Sequence, residues 1–304
     1  MQELIEKAGV LIEALPYIQQ FRGAVVVVKL GGSTMDDPER TDSVLRDIVF
    51  MECAGMKPVV LHGGGKAISA RLQQEGIESR FINGLRHTCE RTIRVVDDVL
   101  HNEVNASLVA GINGHGGQAR MVSGRDILRA APISSPGAED LGFVGQVINV
   151  DTEQLRWMVD RNEVPVVTPL GTDLNGCIYN INADMAACEL AAEMQADKLV
   201  FLSDVPGILR DPANPETLIS TVRTEDMERY IADGTISGGM VPKLRSAVRA
   251  IEAGAGKVHM IDGRVRHALL LEIFTDQGIG TQIVEERINN DPTSRSATED
   301  QVES

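Results

Sequence analysis

The sequence predicts an α/β fold in which helices pack on a mainly parallel sheet, and two observations carry that expectation. Short β-branched runs recur at Val25 to Leu30, Pro58 to His62, Val164 to Pro169, Lys198 to Ser203 and Lys257 to Asp262. Their largely apolar character suits strands buried on both faces of a parallel sheet. Between them lie longer segments with helical spacing, such as Val44, Leu45, Ile48 and Val49, or Ile68 and Leu72, as crossover helices covering such a sheet require.

Residues 1–23 precede the first strand. There Leu4, Ile5, Ala8, Leu11, Ile12, Leu15 and Ile18 stand three and four apart, the stripe of an amphipathic helix. Pro16 removes a backbone donor and should kink the helix near Leu15. So much apolar surface outside the sheet must pack on the chain's own body or on another subunit. Gln118 to Val122 and Phe143 to Val150 are strand-like without helical partners, with Pro132, Pro136 and Gly137 between them. That texture predicts a hairpin layer over the sheet edge. From Glu285 onward the chain is polar, with Asn289, Asn290, Asp291 and Pro292, so residues 285–304 are expected to form a disordered tail.

With 304 residues, 43% of them apolar, the chain can build one large or two medium domains. The net charge of −15 repels a phosphate backbone or an anionic membrane surface unless the basic residues cluster, which argues against nucleic acid and membrane as partners. An aromatic content of 3% leaves few platforms on which single-stranded bases could stack. Cys53, Cys89, Cys177 and Cys188 form no C-x-x-C pair and are expected to be buried, reduced thiols. The N-terminus lacks a targeting pattern, and no run approaches the ~18 apolar residues of a membrane span. A cytoplasmic enzyme is the expectation.

Two strands end in glycine runs, VVVVKLGGS at Val25 to Ser33 and VVLHGGGKAIS at Val59 to Ser69. Strand, glycines, then helix is the order that lets backbone amides at a helix N-terminus approach a phosphate closely. Neither run is a Walker A loop, because Val60 stands where the first Gly is required and Ala67 where Ser or Thr is required. The single match to a dinucleotide fingerprint, Gly114, Gly116 and Ala119, follows a helical segment rather than a strand, so it reads as a helix-ending loop. Lys29 ends a run of four valines. An unpaired ammonium buried there would cost several kcal/mol, about the penalty of any lone buried charge, so an anionic partner is expected.

Six motifs then occur in order: VVKLGGS, VVLHGGGKAIS, FINGLRHT at Phe81 to Thr88, YNINADMAA at Tyr179 to Ala187, FLSDVPGIL at Phe201 to Leu209 and ISGGMVPKL at Ile236 to Leu244. Over residues 24–284 the chain resembles the amino acid kinase family. Its NGLR and NINAD elements are similar to those of the N-acetylglutamate kinases in particular. The resemblance implies a three-layer α/β/α sandwich in two lobes: 24–194 binding acetylglutamate and 195–284 binding ATP, with residues 1–23 a kinked helix for oligomerisation. It implies a kinase that phosphorylates N-acetyl-L-glutamate on its γ-carboxylate, with Mg2+ bound mainly through ATP.

By that resemblance Lys29 approaches the transferring phosphoryl from the acceptor side and Lys243 from the nucleotide side, with Asp184 holding both. As a plain alternative, Asp184 is a helix N-cap before Met185 to Met194. Gly31, Gly32, Gly63 and Gly64 would offer amides to phosphate oxygens. Gly64, Gly65, Asn180 and Asn182 would line the acceptor site, where Arg86 would grip the α-carboxylate, unless it is an ordinary surface ion pair. Asp204 and Gly207 would border the nucleotide together with Lys243. No metal-ligand cluster is expected, and His62 reads as packing at a strand end rather than as a base. A carboxylate acceptor is already ionised at neutral pH, so none is needed.

The N-terminal helix and the segment HALLLEIFTDQGIGTQI at His267 to Ile283 are similar to those of family members that arginine inhibits. Glu272 is then the partner expected for the effector guanidinium, with Tyr17, Gly278 and Gly280 closing the site. The helix would interlace dimers into a homohexamer. Two other outcomes stay open: an N-acetyl-aminoadipate kinase, whose substrate is one methylene longer, and a catalytically inactive arginine sensor on the same fold.

Overall fold

The computed structural model describes residues 1–133, 139–275 and 278–285. Helix α1 (Gln2–Phe21) leads to β1 (Val25–Leu30), whose end turns through a short α2 (Gly32–Met35) into α3 (Pro38–Cys53). Strand β2 (Lys57–His62) and α4 (Gly65–Gln74) follow, then a hairpin of β3 (Phe81–Ile82) and β4 (Leu85–Arg86). A long helical element combines α5 (Glu90–Asp98), a π-helical stretch over Val99–Asn105 and α6 (Ala106–Gly114). Next come β5 (Ala119–Val122), α7 (Gly124–Ile127), β6 (Leu128–Pro132), β7 (Val144–Val150), α8 (Glu153–Val159) and β8 (Val164–Val167). They are followed by β9 (Leu170–Thr172), β10 (Ile178–Ile181), α9 (Ala183–Glu193) and β11 (Lys198–Ser203). The chain continues through β12 (Thr221–Arg223), α10 (Met227–Ala232), α11 (Met240–Glu252), β13 (Val258–Asp262), α12 (Ala268–Ile273) and β14 (Thr281–Val284).

Eight strands form one sheet in the order β12-β14-β13-β11-β1-β2-β8-β5, parallel except where β14 meets β13. The five expected strands are β13, β11, β1, β2 and β8, adjacent in its middle. Successive side chains of a strand face opposite ways. Val27 therefore packs into a core with Leu155, Leu190 and Leu244 of α8, α9 and α11, while Val26, Val28 and Leu30 pack with Ile48, Leu108 and Leu269 of α3, α6 and α12. Helices thus cover both faces, giving three layers. Lys29 has the parity of Val27 and so belongs to the α9 and α11 side. The expected division at residue 195 falls at Gln195, held at φ 51° between α9 and β11, and the sheet runs across it without a break.

Several expectations need correction. Gln118 to Val122 is not part of a covering hairpin: β5 pairs in parallel with β8 at the sheet edge. Its crossover helix is the segment ending at Gly114, which the strand follows directly. β7 does lie outside the main sheet, but it joins β6, β9 and β10 in a small closed barrel. Pro136 and Gly137 lie outside the described residues, as does the tail from residue 286. Only Cys188 is buried; Cys53, Cys89 and Cys177 are exposed, because they sit at the end of α3, at the cap of α5 and just before β10. Helix α1 runs on through Pro16. Its Tyr17 stacks edge-on against Phe274, which stacks in turn on Phe50. Ile5, Val10, Leu11, Ile12 and Leu15 remain exposed.

Helix α12 is fastened to α3 by a buried carboxylate. Asp47 Oδ1 lies 2.6 Å from His267 Nδ1, and Ser43 Oγ accepts from the His267 amide at 2.9 Å. The amides of Leu269 and Leu270, in the first turn of α12, also face Asp47. Burial pushes the carboxyl from its ordinary 3.8 up to about 6, against the pull of those hydrogen bonds. The folded state thus holds this proton more tightly than the unfolded chain, so the stability it confers is complete below the unfolded value and is lost as pH rises through about 6. Urea unfolding of the wild type should lose stability between pH 4 and pH 6 relative to Asp47→Asn, the two carboxyl values above setting that window. Parallel pH profiles for the two proteins would remove this account.

Candidate active site

Strand β1 delivers Lys29 to the carboxyl edge of the sheet, and the first turns of α9 and α11 deliver Asp184 and Lys243 to the same place. Lys29 Nζ lies 2.7 Å from Asp184 Oδ1, and Lys243 Nζ lies 3.2 Å from Asp184 Oδ2. The three side chains are 11%, 18% and 21% exposed for Lys29, Lys243 and Asp184, so the cluster is half-sunk yet open on one side. Burial alone would raise the Asp184 pKa, but the two ammoniums and their hydrogen bonds hold the carboxyl below the usual range. Lys243 also sits 5.6 Å from the Phe201 ring centroid, an arrangement that favours a cation.

The N-cap of α9 is Asn182, not Asp184: Asn182 Oδ1 accepts from the amides of Asp184 and Met185 at 2.9 and 3.2 Å. The cap aims the first helical turn, and Asp184 rides on it where the helix dipole favours an anion. An Asn directly before an apolar helical run was the signal for this in the sequence. Asn180, two residues earlier on β10, donates to Thr88 Oγ1 at 3.3 Å, and that hydroxyl donates to the Arg86 carbonyl at 2.8 Å. Arg86 and Asn180 are thereby joined through Thr88, which sequence reasoning had not singled out.

Arg86 is buried, and among the described residues no carboxylate pairs with it, so the surface ion pair is excluded. Its guanidinium donates to the Gly65 carbonyl at 2.9 Å, to Ser69 Oγ at 2.8 Å and to Ser79 Oγ, and lies 4.6 Å from the Phe81 ring centroid. Burial lowers its pKa. The β3–β4 turn that carries it has Asn83 and Gly84 at φ 50° and 81°, the left-handed pair that a tight two-residue hairpin requires.

The four glycine amides are not equivalent. Gly31 N–H donates to Leu202 O and Gly63 N–H to Leu30 O, each at 3.0 Å. The expectation that these two would face phosphate is corrected, since they extend the sheet ladder beyond β1 and β2. Gly32 and Gly64 have no hydrogen-bond acceptor for their amides among the described residues. A side chain on Gly64 would run into Leu100 of the π-helical stretch, so glycine is needed there for close packing. His62 is wholly buried: Asn105 Nδ2 lies 3.1 Å from Nε2 and Gly63 O lies 2.7 Å from Nδ1. An amide donor on Nε2 leaves the ring proton on Nδ1, and burial lowers the pKa to about 4. His62 is thus a neutral residue that holds the second glycine turn, and both its nitrogens are engaged.

Asp204 follows the end of β11 and is exposed, with Gly207 at φ 144° against Thr281, whose Oγ1 accepts from the Ile208 amide at 2.8 Å. Among the described residues no three His, Cys, Asp or Glu side chains converge as a metal site would need. Tyr17, Glu272, Gly278 and Gly280 line one cavity of about 610 Å³ together with Lys198 and His259. Glu272, however, is turned inward. Oε1 lies 2.6 Å from His259 Nδ1, and Oε2 accepts from the Ile279 and Gly280 amides at 2.7 and 3.1 Å. Burial works against ionisation, but these partners hold its pKa below the ordinary value.

Two lysines bridged by one carboxylate beside glycine turns, on a parallel sheet without a Walker loop, define a phosphotransferase. The chain belongs to the amino acid kinase family, whose pattern it matches over residues 24–262. It is 46% identical over 282 residues to an acetylglutamate kinase of Syntrophomonas wolfei, covering 93% of this chain and 98% of that one. Among solved structures it is similar to an N-acetylglutamate synthase of Neisseria gonorrhoeae in complex with coenzyme A and N-acetyl-glutamate, with a TM-score of 0.82, 28% identity and 92% of this chain covered. The complex of that synthase with coenzyme A and L-arginine superposes with a TM-score of 0.76, at 28% identity and over 90% of this chain. This chain spans 64% of the synthase's length.

Removing the shared carboxylate would leave two half-buried ammoniums facing each other. Asp184→Ala should lower the unfolding free energy by about 3 kcal/mol, as breaking one side of a buried pair does. Adding Lys29→Met should restore part of it. A urea titration showing no loss for the single variant would contradict the electrostatic role.

Proposed function

We propose that this chain transfers the γ-phosphoryl group of ATP to the side-chain carboxylate of N-acetyl-L-glutamate, giving N-acetylglutamyl 5-phosphate in arginine biosynthesis. The observation that carries the proposal is the Lys29–Asp184–Lys243 bridge. Phosphoryl transfer asks the protein to hold donor and acceptor in line and to neutralise charge on the equatorial oxygens of the moving group. Lys29 does so from the acceptor side and Lys243 from the nucleotide side. Asp184 keeps both in place, so little reorganisation remains at the moment of reaction. The acceptor carboxylate is already ionised near neutral pH, in keeping with a His62 whose two nitrogens are both engaged.

Arg86 meets the α-carboxylate of the acceptor. Gly65, Ser69 and Ser79 engage three of its N–H groups, so the substrate takes the remaining donors or displaces a serine hydroxyl. Asn180 and Asn182 lie on the segment that leads to Asp184, and the amides of Gly32 and Gly64 face the transferred group. Asp204 and Gly207 border the nucleotide. Mg2+ would travel with the ATP phosphates and water, as that ion prefers. A hydroxylamine trapping assay with ATP, Mg2+ and N-acetylglutamate should yield hydroxamate. A product only with N-acetyl-aminoadipate would change the substrate, and none with either would favour an inactive sensor.

We further infer inhibition by arginine and assembly into a homohexamer. Supporting this are the cavity shared by Tyr17, Glu272, Gly278 and Gly280 and the apolar residues that α1 leaves exposed. A guanidinium would approach a Glu272 already bonded to His259, so it must share or replace that contact. Deleting residues 1–20 should leave activity, abolish inhibition and reduce the assembly to dimers by light scattering. Undiminished inhibition in the truncated protein would defeat the idea.

A further inference from the structure

The second residue of α4 is a lysine. Lys66 stands in the first turn, where the helix macrodipole disfavours a cation, and its ammonium pairs with Asp36, which closes α2 after the other glycine turn. The pair therefore links the two turns that carry Gly32 and Gly64. Lys66 is 76% exposed and Asp36 28%, and ion pairs this open contribute little to stability. Structural support alone does not account for two charges placed this way.

Their surroundings supply another reason. Lys66 and Asp36 line a cavity of about 240 Å³ together with Gly32, Gly64 and Gly65. It is thus walled by Gly32 and Gly64, whose amides have no hydrogen-bond acceptor among the described residues. Lys29 and Lys243 share one carboxylate, so that cluster carries a single net positive charge against a multiply charged phosphoryl group. An exposed ammonium beside those amides answers the remaining charge. We infer that Lys66 is a further phosphoryl-binding residue on the acceptor side, resting on Asp36 between turnovers and moving onto the transferring group as it passes the Gly32 and Gly64 amides. This rests on the phosphotransfer proposed above.

The test compares the full-length wild type with Lys66→Gln, Lys66→Arg and Asp36→Asn. Turnover is read by hydroxamate formation, and binding by calorimetry with MgADP, aluminium fluoride and N-acetylglutamate, a planar mimic of the moving phosphoryl. Lys66→Gln should lower kcat and weaken the fluoroaluminate complex by about tenfold or more, the scale of losing one preorganised charge partner. Its KM for N-acetylglutamate should change little, and Lys66→Arg should restore most of both losses. Asp36→Asn deprives Lys66 of its resting partner and should tighten the complex. Equal weakening by Lys66→Gln and Asp36→Asn would make the pair a structural clasp and overturn the inference, as would a Lys66→Gln protein that matches an active wild type. An inactive wild type would instead remove the kinase proposal itself.

Discussion

The carboxylate of Asp184, shared between two ammoniums, is the constraint on which the rest of the site depends. Lys29 and Lys243 come from elements 214 positions apart (243 minus 29), and like charges brought this close repel unless an anion lies between them. The fold meets that requirement through parity and capping together. The alternation of β1 sends Lys29 to the α9 side of the sheet, and Asn182 fixes the turn on which Asp184 is presented. Change either and the same three residues would not converge, whatever their chemistry.

Much of the frame was legible because it is written in short-range patterns. Apolar runs of five or six residues located the five central strands, and Lys29 at the end of four valines implied an anionic partner, found as Asp184. What escaped notice depends on contacts remote in sequence. β5 was detached from its sheet because nothing local says that a strand pairs with β8, 45 positions on (Ala119 with Val164). Arg86 could be expected to be functional, but its serine partners come from α4 (Ser69) and the loop before β3 (Ser79). The glycines looked equivalent in the sequence; only their neighbours separate Gly31 and Gly63, bound into the ladder, from Gly32 and Gly64. Cysteine burial was misjudged since composition says nothing of position at an element's end.

Three histidines perform an ordering task in this molecule. His62 and His259 are buried, the first fixing a glycine turn and the second holding Glu272 against a loop, and the half-exposed His267 meets the buried carboxylate of Asp47 at the start of α12. Each joins a strand or helix terminus to its neighbour by one short contact. Helix α12 is tied at both ends in this way, to α3 through Asp47 and to the loop at Ile279 and Gly280 through Glu272. A displacement in the cavity beneath Tyr17 therefore meets a rod fastened to the helix that runs back toward the first glycine turn.

Asn180, Asn182 and Asp184 occupy alternate positions of one five-residue stretch, a strand end locked to a helix start. Asn180, which reaches the Arg86 carbonyl through Thr88, and the bridging carboxylate thus share one short stretch of chain, to which Lys29 is bound by its ion pair with Asp184. Lys243 alone arrives on a separate helix, α11. Any opening of this enzyme should then run along the Lys243 seam, breaking one ion pair while the stretch from Asn180 to Asp184 keeps its hold on Lys29.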